Sequence, residues 1–323
     1  MDTDPTQGTT HLNWGNVALA FSFILLDAGI SLSFGLGVGS GLVTAAIRCV
    51  LQLSVVALIL QKVFETNNPW AVAAIAFLLN LMGTIETVIN KSKRRYQYMF
   101  PSVLFGMLSS TIPVSVIGIR YAMGVQPLWK PEQYIPVVGM LCGATISGIV
   151  VSVSYVLKEL SDNRDKVEMY LAFGASRFEA CKPIATEALR VALTPNINQM
   201  SVIGIIAIPG MMTGAILGGS SVEQAARLQM VIMFMISSCT ALSSIVTTGL
   251  ALAVVVDNQH RIRSDRIDSR KHFIWRATDR AMGKVIDAVK SAGNRAWSAV
   301  MKAFKKEDGI LESDSGERET LLG

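Results

Sequence analysis

Seven long apolar stretches alternate with short polar ones over the first 256 residues. They are Val17–Phe34, Gly41–Leu60, Trp70–Ile89, Pro101–Tyr121, Tyr134–Leu157, Thr194–Leu217 and Leu228–Val256. Each approaches the ~20 residues that a helix needs to cross a hydrocarbon layer. The pattern predicts an all-α, polytopic membrane protein with about seven transmembrane helices. A polar segment, 1–15, precedes a transmembrane domain over 16–257, which is interrupted by a charged segment at 158–193. Beyond Val256 the period changes. Trp275, Met282, Val285, Ile286, Val289, Trp297, Val300, Met301 and Phe304 are interleaved with Arg276, Arg280, Lys284, Lys290, Arg295 and Lys302. That is the pattern of a basic amphipathic helix, expected within a tail over 258–305 and suited to an anionic lipid surface. A partner-binding helix is the rival reading. The last stretch, 306–323, is charged and predicted to be disordered.

Basic residues set the orientation. Lys91, Lys93, Arg94 and Arg95 follow the third span, the 158–193 segment follows the fifth, and Arg261, Arg263, Arg266, Arg270 and Lys271 follow the seventh. All three fall on one side, which the positive-inside rule makes the cytoplasm. The N-terminus is then outside and the C-terminus cytoplasmic, with Trp14, Trp70 and Trp129 at outer span ends. With 51% apolar and only 16% charged residues, the net charge of +5 describes loops and tail, so no nucleic-acid partner is expected. Cys49, Cys142, Cys181 and Cys239 have no C-x-x-C spacing, which indicates neither a disulfide framework nor a zinc site. The first ten residues lack a basic run and a cleavage pattern, so no signal peptide is expected.

Polar and irregular residues inside spans are the functional candidates, because they are costly there. Counted from the inner span ends, Asp27 and Arg48 fall at matching depth on adjacent antiparallel helices, with Gln52 one turn beyond Arg48. They are expected either to line the path or to form a folding ion pair. Glu86 is expected in a salt bridge with Lys93 or Arg94 at the inner end of span three. In span six, Ile208-Pro209-Gly210-Met211-Met212-Thr213-Gly214 predicts a kink or break, since proline lacks a backbone donor. Broken helices often line solute sites in transporters. Gly210, Gly214 and Gly218 repeat at four-residue spacing, as in close helix packing. Met211 and Met212 offer thioethers for soft ions, or serve as core filling. Ser237, Thr240, Ser244 and Thr247 form a stripe on span seven that either lines a polar path or bonds back to its own helix. The Gly35–Gly41 run has no preceding strand and no closing Gly-Lys-Ser/Thr, and no phosphate-binding loop occurs elsewhere. Any ATP that drives this protein must bind another chain.

The charged segment contains Glu168-Met-Tyr-Leu-Ala-Phe-Gly174-Ala-Ser176, followed by Ile184. Its physical reading is an amphipathic helix that breaks at Gly174 and restarts at Ser176, a good N-cap. It is similar to the E-A-A-x-x-x-G … I-x-L-P pattern of ABC-transporter membrane subunits. Met169 and Tyr170 replace the two alanines, and Thr186-Glu187 replace Leu-Pro. Arg48-Cys-Val-Leu-Gln-Leu, Leu171-Ala-Phe-Gly-Ala-Ser and Pro209-Gly-Met-Met-Thr-Gly together resemble the FetB-like (YbbM-like) group of ABC-transporter permeases. The likeness covers roughly residues 15 to 256. It implies export of metal ions or of a metal-tolerance solute, driven by a separately encoded ATPase that carries ATP and magnesium, with two permeases forming the pore. This chain itself is expected to bind no cofactor and to catalyse no reaction. The resemblance assigns Glu168, Gly174, Ala175, Ser176 and Ile184 to ATPase coupling. Asp27, Arg48, Gln52, Pro209, Gly210, Met211, Met212 and Gly214 are the candidates for the transport path. Two other classes share the span count: a seven-helix receptor, and an ATP-independent carrier or channel. Against the receptor, span seven lacks N-P-x-x-Y and no E/D-R-Y follows span three.

Overall fold

The computed structural model describes residues 13–66, 68–92, 94–256 and 267–268. Among them the helices are α1 (Trp14–Ser33), α2 (Gly39–Thr66), α3 (Pro69–Ile85), α4 (Met99–Ile117), α5 (Pro131–Asp162), α6 (Arg164–Ala172), α7 (Arg177–Val202), α8 (Gly210–Leu217) and α9 (Val222–Val255). π-Helical turns extend α3 over Glu86–Lys91 and α4 over Gly118–Ala122. A ribbon of two short strands, β1 (Arg95–Tyr96) and β2 (Ile267–Asp268), completes the described structure. The expected tail helix over 273–305, the 306–323 end and most of the polar 1–15 segment lie outside the described residues.

Among the described residues six helical stretches are long and apolar enough to cross a membrane: Trp14–Ser33, Gly39–Leu58, Pro69–Lys91, Met99–Ala122, Pro131–Asp162 and Val222–Val255. The sixth stretch drawn from the sequence, 194–217, is not one helix. It is shared between the second half of α7, an irregular segment at 203–209, and α8.

Residues up to Leu58 and the residues Ile59–His272 form separate compact units. In the first unit, α1 ends in a tight turn. Gly35 and Gly37 take φ of +65° and +69°, and the Ser31 hydroxyl accepts the Val38 N–H at 3.2 Å. A Cβ on Gly39 would stand 2.9 Å from the Ala28 carbonyl oxygen, so α2 begins tight against α1 at that point.

The second unit is built round α9, which packs on α4, α5, α7 and α8. Ser221 opens α9 by accepting the Gln224 N–H, and no proline interrupts its 34 residues. Its neighbours receive it through glycines. A Cβ on Gly106 of α4 would come within 2.3 Å of the Thr247 methyl, and one on Gly148 of α5 within 2.4 Å of the Thr240 methyl. A Cβ on Gly118 would strike Met235 at 2.4 Å. Each glycine is a notch that takes a knob from α9 and brings the backbones together, the packing expected where no hydrophobic force drives helices to associate.

The interior is rich in hydroxyls. Thr84, Thr87, Ser110, Thr111, Ser115, Thr145, Ser152, Thr240, Ser243, Ser244, Thr247 and Thr248 are all buried. Most bond to a carbonyl of their own helix: Thr240 to Ile236, Ser243 to Thr240, and Thr247 to Ser243. Within the stripe on α9, Thr240 and Thr247 are buried and bonded back to their own helix, Ser244 is buried with no hydrogen-bond partner among the described residues, and Ser237 is half-buried. A few ties cross between helices. Thr111 donates to Asn80 at 2.7 Å, Ser115 and Tyr134 share a bond of 3.2 Å, and Thr145 and Cys239 one of 3.3 Å.

Candidate functional site

Two features of the second unit depart from plain helix packing. The first is an elbow formed by α6 and α7. The N–H of Gly174 bonds to the Leu171 carbonyl and that of Ala175 to the Tyr170 carbonyl, both at 3.1 Å. This 5→2 and 6→1 pair is a Schellman ending, and it requires the φ of +89° that Gly174 adopts. Two residues later a complete capping box starts α7. The Ser176 Oγ accepts the Glu179 N–H at 3.3 Å, and the Glu179 carboxylate accepts the Ser176 N–H at 2.9 Å. Those hydrogen bonds hold the Glu179 carboxyl below its usual range. The break and the restart thus stand where the sequence places them.

The elbow has two different faces. Val167, Leu171, Ala180 and Cys181 are buried in one cluster with Val156, Leu157, Leu160, Val255 and Val256. Burial pushes the Cys181 thiol up to about 11. On the outer face Phe173 is 84% exposed, and Phe178, Met169 and Tyr170 are exposed beside it. The Arg177 guanidinium stacks over Phe178 at 5.0 Å from the ring centre. Glu168 pairs with Arg164 at 2.6 Å, one turn away. Ile184 packs on the core and lines a cleft of about 260 Å³ behind the elbow, along with Tyr155, Lys166, Tyr170 and Glu187. Glu168, Gly174, Ala175, Ser176 and Ile184 therefore belong to one element. What the sequence does not isolate is the aromatic tip, although Phe173 and Phe178 flank the glycine on either side.

The second feature is the break between α7 and α8. The Val202 carbonyl accepts the N–H groups of Ile205 and Ile206 at 3.3 and 3.1 Å, Gly204 takes φ of +87°, and its N–H reaches the Ala207 carbonyl at 3.0 Å. Pro209 is extended and leads into α8, whose first turn has no side-chain cap. A Cβ on Gly210 or Gly214 would meet nothing within 4 Å, so no described helix of the second unit packs into that glycine face. Close approach occurs instead at Gly106, Gly118 and Gly148. Met211 and Met212 are half-buried beside the break.

The first unit carries Asp27 on α1 and Arg48 and Gln52 on α2, all exposed. Arg48 lies nine residues beyond Gly39, about 13 Å of helical rise. Asp27 adjoins Ala28, against which Gly39 sits. At the C-terminal end of α3, Glu86 accepts a hydrogen bond from the Asn90 amide, and Lys93, one of its two expected partners, lies outside the described residues. Arg94 turns instead to the Leu157 carbonyl at 3.2 Å and to Asp162 at 3.8 Å. Among the described residues no three His, Cys, Asp or Glu side chains come together as a metal-binding group.

Long apolar helices, glycine-notched packing and a charged elbow beyond the spans define an integral, multi-pass α-helical membrane protein. The chain belongs to UPF0014, described as an uncharacterised protein family, whose pattern it matches over residues 14–255. It is 33% identical over 257 residues to the UPF0014 membrane protein slr1647 of Synechocystis, covering 77% of this chain and 96% of that one. It is 30% identical over 234 residues to the protein ALUMINUM SENSITIVE 3 of Arabidopsis thaliana, covering 72% and 84%. With the Escherichia coli protein named Probable iron export permease protein FetB it shares 22% identity over 247 residues, 76% of this chain and 93% of that one. No solved structure matches.

Proposed function

We propose that this chain is the membrane-spanning subunit of an ABC transporter that exports metal ions, or a solute linked to metal tolerance. ATP and magnesium are held by a separate subunit, and this chain performs no covalent chemistry. The elbow is the observation that carries the reading. Phe173, Met169, Tyr170 and Phe178 are exposed on a segment too charged to lie in lipid, and apolar groups displayed this way mark a partner surface. Its rear face is fixed to the core, so a push on the tip reaches α5, α7 and α9 directly. The names of the Escherichia coli and Arabidopsis relatives support the transport role and its connection with metals.

In this reading Glu168, Gly174, Ala175, Ser176 and Ile184 shape and brace the docking element. The broken segment with Pro209, Gly210, Met211, Met212 and Gly214 lines the path, because backbone that leaves a helix inside a membrane must face protein or water. Asp27, Arg48 and Gln52 are the path candidates carried by the first unit. Counting the broken segment as a crossing gives seven spans, an outer N-terminus and a cytoplasmic tail whose basic face rests on lipid. Two copies form the complete pore.

Gly174→Asp tests the reading. The left-handed φ at this position strains any side chain, while the segment lies outside the spans. The variant is expected to insert normally, to lose co-purification with an ABC ATPase, and to lose export of iron or aluminium from cells. A variant that inserts, binds the ATPase and exports like the natural protein refutes the proposal. An ATP-independent carrier would bring down no ATPase in either form.

A further inference from the structure

The chain does not leave the membrane domain freely after α9. Eleven residues beyond Val256 it returns to the loop before α4, where β2 pairs antiparallel with β1, Tyr96 opposite Ile267 and Arg95 opposite Asp268. The loop that receives it is firmly held. Tyr96 is 4% exposed, within the cluster that also contains Met99, Leu157, Leu160, Val167 and Leu171. Arg95 donates through Nη2 to the Ile89 carbonyl at 2.8 Å, while its Nε is buried with no hydrogen-bond partner. The next residue back, Arg94, holds the last turns of α5 through the Leu157 carbonyl and Asp162. Asp162 is the final residue of α5, and the elbow begins two residues later with Arg164.

We propose that residues 267–268 are a strap that fastens the tail to the inner loop through the backbone ladder of β2 on β1, and that this strap steadies the start of the elbow. The strap sits on the strand edge of a loop whose other side holds α5. Its release loosens first β1, then the Arg94 contacts, then the α5–α6 junction. A signal received anywhere along the tail thus has a mechanical route to the elbow. The consequence for partner docking rests on the function proposed above, whereas the strap itself does not.

Hydrogen exchange followed by mass spectrometry on the full-length protein in lipid nanodiscs tests this without any partner. Replacing both Ile267 and Asp268 by proline removes the backbone donors of β2, and is expected to speed exchange at 94–98 by about two- to five-fold. Exchange over 160–172 should rise with it, while the buried middle of α5 and α9 stays as before. Natural exchange at 94–98 in that variant overturns the strap. Faster exchange at 94–98 with an unchanged 160–172 overturns its connection to the elbow.

Discussion

Replacing Gly148 by alanine should destabilise the second unit by an amount the packing allows to be worked out. The new methyl would lie 2.4 Å from the Thr240 methyl and 2.9 Å from the Ser244 Oγ. Carbon atoms prefer about 3.5–4.0 Å, so the shortfall exceeds 1 Å. Thr240 cannot readily turn away, because it is buried and its hydroxyl is bonded to the Ile236 carbonyl at 2.8 Å. α5 and α9 must therefore part, and overpacking of this kind costs about 1–3 kcal/mol. Alanine recovers roughly 0.5–1 kcal/mol of helix preference over glycine, which leaves a net loss of about 1–2 kcal/mol. At roughly 2–4 °C per kcal/mol for a domain of this size, the midpoint of thermal unfolding in detergent should fall by several degrees. Gly143 is the control: it lies on the same helix with nothing within 4 Å of its Cβ position. Gly143→Ala should leave the midpoint unchanged or raise it. Thr240→Ala removes the obstructing methyl and should restore most of what Gly148→Ala loses, a coupling seen in the double-mutant cycle. If Gly148→Ala is as stable as Gly143→Ala, or if Thr240→Ala restores nothing, the notch does not hold α9.

Other outcomes follow from the elbow and the thiols. The Glu179 carboxyl is held below its ordinary value of 4.5 by hydrogen bonds from the Ser176 side chain and backbone. A carboxyl depressed by folding contributes above its unfolded pKa and loses that contribution as pH falls through the folded value. The first turn of α7 should therefore loosen only in acid below about that range, seen as rising mobility of a spin label at position 178. Glu179→Gln should flatten this dependence, and an unaltered acid response in that variant would mean the capping box is not the cause. Among the cysteines only Cys49 is exposed, so a membrane-permeant maleimide should modify one thiol per folded chain, and Cys49→Ser should abolish the reaction. Cys181 is buried and its thiol is pushed up to about 11, so modification of Cys181 in the native protein would contradict the packing of the elbow on the core.

The elements visible in the sequence are those fixed locally. Span boundaries follow from runs of apolar residues, and α3, α4, α5 and α9 appear within a few residues of expectation. The break before Gly210 follows from proline chemistry, and the elbow from a glycine followed by Ser176 and Glu179. Contacts between distant segments leave no such mark. Gly106, Gly118 and Gly148 look like any other glycines in apolar runs, and only their neighbours Thr247, Met235 and Thr240 make them notches. The 210–214–218 spacing is the more regular pattern, yet among the described helices of the second unit it receives none. Pro183 and Pro195 both stand inside α7, which runs through them unbroken for 26 residues. Neighbouring packing, not local preference, decides that helix.

The self-bonded hydroxyls also bear on how such a protein is made. A span entering lipid alone must hide every polar group it carries, since none finds water in the hydrocarbon. Thr87 bonds to Gly83, Thr145 to Leu141 and Thr247 to Ser243, each four residues back along its own helix. These groups carry their partners with them at the moment of insertion. These three groups therefore do not need a neighbouring helix, whereas Ser244 and Thr248 of α9 are buried with no hydrogen-bond partner among the described residues. Asn80 does more, because its side chain satisfies its own helix through Ala76 and also accepts Thr111 from α4. That bond can form only once both helices are in place, which makes it a marker for completed assembly of this pair.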